Sequence, residues 1–171
     1  RRPGRTSDSD LRSFEWYYWG RLCHSDLLTV PAHELGVTAL ALSRYGRTIY
    51  TNGDYYLRMW DVATGRQRAI RTGPQLGVAP LPFHDGGWTP QVVMSPDGHT
   101  LAVVSENEVA LVDPVTLKPR ARIAANGRIL SLAFSADSHR LVVTDGGVVV
   151  WDLVGQHPVH GACGQRRRGL L

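Results

Sequence analysis

The chain has 171 residues, 43% hydrophobic and 20% charged, with a mean hydropathy of −0.18. That is the profile of an ordinary globular domain and excludes wholesale disorder. No stretch approaches the roughly 18 apolar residues of a membrane helix. No N-terminal apolar run looks like a secretory signal, and two cysteines, Cys23 and Cys163, exclude a disulfide framework. The net charge is +4, but six of the 19 basic residues are tail arginines, leaving 13 basic against 15 acidic residues in the body. A nucleic-acid binder concentrates its positive charge on a folded face, so nucleic acid is not an expected partner.

Residues 1–10 read as a disordered basic tail, beginning Arg1-Arg2-Pro3 without methionine as a fragment or processed product would. Residues 11–25 read as an amphipathic helix. Leu11, Phe14, Tyr18 and Leu22 keep helical spacing, and Asp8, Ser9 and Asp10 favour its start.

From residue 32 the chain repeats, and repeats govern the fold. Segments 32–71, 83–124 and 126–160 align. Ser43, Ser95 and Ser135 open the turns SRYG, SPDG and SADS. An apolar-Asp pair follows 16 or 17 residues later: Trp60-Asp61, Val112-Asp113 and Trp151-Asp152. The insertion 71–82 accounts for the longer first spacing. Each repeat predicts three short strands rich in Val, Ile, Leu and Thr. They lie at 40–42, 48–51 and 57–60, at 92–94, 100–104 and 109–112, and at 132–134, 140–144 and 148–151. Several are apolar on consecutive residues, as in sheets covered on both faces. The turns NGD, PDG and DGG supply residues for positive φ. Fourth strands are expected at 67–70, 120–123 and 156–160, the last weakened by Pro158. Residues 161–171 read as a second disordered basic tail.

These repeats resemble WD40 repeats, the four-stranded blades of β-propellers, over about residues 32–159. The fold class expected is all-β, a partial β-propeller of about three blades preceded by a short amphipathic helix. The resemblance also implies that residues 26–31 form an outer strand with no neighbour to pair with. In the family a loop His, a strand Ser/Thr, a turn Asp and the Trp form a hydrogen-bonded support. The resemblance places His33, Thr51, Asp54 and Trp60 there, with Ala32-His33 for the usual Gly-His. The third repeat keeps Asp145 and Trp151, with Asn126-Gly127 near the His position. The second has Val112 for Trp and no matching turn Asp. Phe14, Glu15, Trp16, Tyr18, Arg21, Leu22, Cys23 and His24 are similar to an element that precedes WD40 arrays in large bacterial proteins, many with a kinase domain upstream. Trp19 departs from it, since leucine is commoner there.

Other residues admit sharper readings. His157, His160 and Cys163 are ligand types, but a zinc site needs three or four ligands on an ordered frame, so no metal is expected. Cys23 and His24 are adjacent on a helix and do not face each other. Trp16 to Trp19 suits docking of the helix better than base stacking. Glu106 and Glu108 read as solvated turn charges. No catalytic residue and no cofactor is expected. No nucleotide loop and no His-Arg-Asp catalytic loop occurs in these residues.

The expected function is a non-catalytic scaffold for protein–protein interaction, part of a larger bacterial signalling or regulatory protein. The alternative is a ligand-binding or enzymatic propeller fragment with a central-channel site. Trp88 and Arg128 share with Gly36 the position just before an inner strand. As residue types common at binding hot spots, they are the candidate partner-binding residues. No membrane segment is expected, and the free thiols point to the cytoplasm. Three blades cannot close a ring, so self-association through open blade faces is expected, with Leu40, Leu42, Leu132 and Phe134 uncovered.

Overall fold

Each turn serine makes a hydrogen bond that needs only local sequence. Ser43 Oγ accepts from the Thr48 N–H at 3.0 Å, Ser95 Oγ from Thr100 at 2.9 Å and Ser135 Oγ from Arg140 at 2.9 Å. Three residues after each serine the backbone turns left-handed, at Gly46, Gly98 and Ser138 (φ +69°, +76° and +62°). The turn therefore tolerates a serine where two of the repeats use glycine. A second device closes the other turn at the same end. Asp61 accepts from the Thr64 amide, Asp113 from Val115 and Thr116, and Asp152 from Val154 and Gly155. Such side-chain caps satisfy amides that the turn would leave unpaired.

The structure is a computed structural model that describes residues 29–79, 91–155 and 157–159. Between these turns the chain forms three four-stranded antiparallel sheets. The first has the order β1 (Ala39–Leu42), β2 (Thr48–Gly53), β3 (Tyr56–Asp61), β4 (Gln67–Thr72). The second has β5 (Val92–Met94), β6 (Leu101–Ser105), β7 (Glu108–Val112), β8 (Pro119–Ala124). The third has β9 (Ser131–Phe134), β10 (Arg140–Thr144), β11 (Val148–Asp152), β12 (His157–Val159). The repeats thus give the twelve strands expected of them. The helix expected at 11–25, both tails, Cys163 and Trp88 lie outside the described residues. Of the outer strand expected at 26–31, residues 29–31 carry no strand and the rest lie outside.

The sheets pack face to face, and strand alternation assigns each side chain a neighbour. In the middle sheet every residue of β6 is buried. Leu101, Val103, Ala110 and Val112 meet Ala41, Tyr50, Leu57 and Met59 of the first sheet. Ala102, Val104, Val109 and Leu111 meet Leu132, Leu141 and Val143 of the third. The Tyr50 hydroxyl crosses between sheets to donate to the Pro114 carbonyl at 2.8 Å. Part of the insertion also joins the core. A 3-10 turn at Pro74–Leu76 buries Leu76, and Val78 follows it inward. Glu108 is not the solvated turn charge expected of it. It accepts from the Ala79 amide at 3.3 Å and stands 3.8 Å from Arg122.

Among the described residues no further sheet lies on the outward faces of the first and third sheets. Leu40 (67% exposed), Leu42 (50%) and Ile70 lie on the first, and Val148 (59%) and Val159 on the third. Leu132 and Phe134 correct the expectation. They face the second sheet, where Leu132 is buried and Phe134 packs beside it. Their β10 partners are Val143 and Leu141, whose side chains are buried in the same core.

Candidate functional site

The support residues of the first sheet come together at one edge. Thr51 is central on β2, and its hydroxyl accepts from the Trp60 indole N–H at 2.8 Å. It also lies 2.9 Å from His33 Nε2. A hydroxyl has one proton and two lone pairs. We assign that proton to the bond with Nε2, which places the ring proton on Nδ1. Nδ1 stands 3.6 Å from Asp54 Oδ2 and makes no hydrogen bond. Asp54 instead accepts from the backbone amides of Glu34 at 2.6 Å and Leu35 at 2.7 Å. The carboxylate therefore fixes the incoming loop, and the loop holds the imidazole against Thr51.

The turn that carries Asp54 departs from the glycine rule. The left-handed residues are Asp54 and Tyr55 (φ +50° and +67°), while Gly53 is not left-handed. Two successive left-handed residues match the tight hairpin that joins β2 to β3. Gly53 serves closeness instead. A Cβ there would sit 2.3 Å from the Gly36 carbonyl oxygen and 2.7 Å from the His33 ring. Gly53→Ala is expected to cost about 2–3 kcal/mol, as overpacking does, read from the urea midpoint.

His33 has a fully buried side chain. Burial, and then the Arg58 charge, push its pKa below the ordinary 6.5, while Asp54 partly opposes them. Above pH 6.5 the ring is neutral in both folded and unfolded chains. As the pH falls through 6.5 the unfolded chain takes up a proton first, so stability is lost. Melting temperature should fall between pH 7.5 and about pH 5.5, and His33→Gln should flatten that fall.

The other sheets carry the pattern incompletely. In the third, Asp145 accepts from the Asn126 amide at 2.9 Å, as Asp54 does from Glu34. Trp151 occupies the register position of Trp60, pairing with Leu141 as Trp60 pairs with Ile49. Val143 stands where Thr51 does. In the second sheet Val112 is buried in the core between the first two sheets, and Glu106 takes the turn position of Asp54. Arg128 is exposed on the loop between β8 and β9. That loop is tied to the β6–β7 turn by Ile129 N–H to Glu106 O at 3.1 Å and Ala125 N–H to Asn107 O at 2.8 Å.

Five further carboxylates, Asp61, Asp97, Asp113, Asp137 and Asp152, sit below the ordinary range. Turn hydrogen bonds from serine, threonine or backbone donors lower each one. Arg68 and Arg120 add ion pairs to Asp61 and Asp113. Among the described residues no three His, Cys, Asp or Glu side chains cluster as metal ligands, and no helix is long and apolar enough to cross a membrane.

Residues 24–61 and 117–152 match the WD domain, G-beta repeat family. These two segments are similar to WD40 repeats. Solved structures agree on the fold. One of U3-55K is 21% identical, with a TM-score of 0.66 over 84% of this chain and 44% of its own. One of RRP9 WD40 repeats is 20% identical, with a TM-score of 0.67 over 84% and 43%. The hydrazine synthase of Kuenenia stuttgartiensis is 18% identical, with a TM-score of 0.58 over 72% and 34%. The chain thus spans less than half the length of each of these proteins. No curated protein matches the chain. At these identities the likeness is one of fold, and a fold does not fix function. The WD40 match takes in His33, Asp54 and Trp60 in its first segment, and Asp145 and Trp151 in its second.

Proposed function

We propose that this chain is a non-catalytic WD40 scaffold that presents the β2–β3 end of its blades to a protein partner. The observation that carries the reading is the set of apolar side chains held out at that end. Leu35 (60% exposed), Val37, Tyr55 and Leu130 (60%) stand on turns whose backbones are pinned by Asp54 and by the Glu106–Asn107 turn. Apolar side chains on rigid turns lose little freedom when a partner covers them. Arg128 lies two residues from Leu130 and adds a guanidinium to the same surface.

The carboxylates with lowered pKa support the non-catalytic reading, because turn caps or ion pairs engage each of them. The Phe14 to His24 element supports a place within a larger bacterial signalling protein in the cytoplasm. Leu130→Glu and Arg128→Ala should each weaken a partner's capture by about tenfold or more, and Leu130→Glu should do so with melting temperature almost unchanged. Affinity for a captured partner, measured by surface binding, tests this. Equal affinity for wild type and both variants overturns it.

A further inference from the structure

The third blade lacks the imidazole that fills the first. Ten residues before the turn serine stands His33 in the first repeat and Ala125 in the third. The loops otherwise take matching paths, since Asn126 caps Asp145 as Glu34 caps Asp54. Around the Ala125 position opens a cleft of about 380 Å³, larger than the missing ring and bordered also by Val148 and Val159 at the outward face. Ala125, Val143, Asp145, Val149, Trp151 and Pro158 are among its walls. That volume falls within the range of small-molecule sites, about 300–1,000 Å³.

Two polar groups in these walls have capacity to spare. Among the described residues the Trp151 indole N–H makes no hydrogen bond. Among the described residues Asp145 receives one amide on Oδ2 and joins no ion pair. The cavity therefore offers one donor and one anionic acceptor among apolar walls. A purely apolar guest would leave both unmatched, and an aliphatic ammonium would leave the indole donor without an acceptor.

We propose that this cavity binds a small heteroaromatic base of the imidazole type. Its ring N–H donates to Asp145, its bare ring nitrogen accepts from Trp151, and its faces lie against Val143, Val149 and Pro158. The volume favours a fused ring over imidazole alone, so benzimidazole is the probe. Equilibrium dialysis against the full chain measures it in whatever assembly the chain forms. We expect saturable binding of one benzimidazole per chain, at least tenfold tighter than its carbocyclic analogue indene. Asp145→Asn, which keeps an oxygen for the Asn126 amide, should weaken binding about tenfold. Ala125→His and Ala125→Leu, which narrow the cleft, should weaken it by about tenfold or more. No saturable uptake up to about 10 mM, equal uptake of indene, or undiminished binding by the folded cleft-narrowing variant overturns the proposal.

Discussion

Asp54→Ala is expected to cost about 2–4 kcal/mol, against no more than about 0.5 kcal/mol for Glu106→Ala at the matching turn position. Asp54 is buried and its two oxygens each accept a backbone amide, from Glu34 and from Leu35. Alanine leaves both amides without their acceptor and removes the only carboxylate within 4 Å of His33 among the described residues. A buried unsatisfied group costs about 1–3 kcal/mol. Glu106 is exposed and caps nothing with its side chain. Thr51→Val tests the same network from its centre. It keeps the shape of the side chain but removes the partner of both Trp60 Nε1 and His33 Nε2. The loss should again be about 2–4 kcal/mol, by the same count of two groups. Chemical denaturation of the three variants checks both statements. Equal losses at Asp54 and Glu106, or a neutral Thr51→Val, would show that the network does not hold the blade.

The strands and turns were legible because their causes are local. Ser43 reaches Thr48 and Asp61 reaches Thr64 within a few residues, so the spacing of those residue types carries the turn. The pairing of His33, Thr51, Asp54 and Trp60 was legible only through family resemblance, since the partners lie 18 residues and more from the histidine. What each partner does was not. The sequence suggests Asp54 as a partner for the imidazole, whereas the turn geometry aims the carboxylate at two backbone amides. Gly53 looks like a positive-φ residue, yet its role is the close approach of the Gly36 backbone and the His33 ring. Which face of a terminal blade is covered depends on the neighbouring sheet, and strand alternation alone is silent on it. That is why Leu132 and Phe134 were expected in the open. Leu76 and Val78 lie in a stretch with no strand or helix period, so nothing local marks them as core. The cavity at Ala125 shows only when the third blade is laid over the first, because an alanine in a loop carries no signal of its own.

The isolated chain is expected to be a dimer or a larger assembly. Propellers of this architecture close with four to eight blades, and the twelve strands among the described residues supply three. The middle blade shows what closure does, since β6 is buried on both faces by its neighbours. The terminal blades have that cover on one face each. Leu40, Leu42 and Ile70 on one side, and Val148 and Val159 on the other, remain in water. Uncapped ends of a repeat array tend to associate, because burying such residues gains about 25 cal/mol for each Å² removed from water. A two-fold axis along the ring centre would set the third blade of each copy against the first blade of the other and close six blades. Light scattering after gel filtration should therefore give a mass at or above twice 18.9 kDa. Leu40→Glu with Leu42→Glu should lower that mass toward one chain, because two like charges in the seam would have to be desolvated. Leu132→Glu should instead unfold the third blade, since Leu132 lies in the core between the second and third. A cooperatively melting wild-type monomer of 18.9 kDa would mean that the open faces do not drive association.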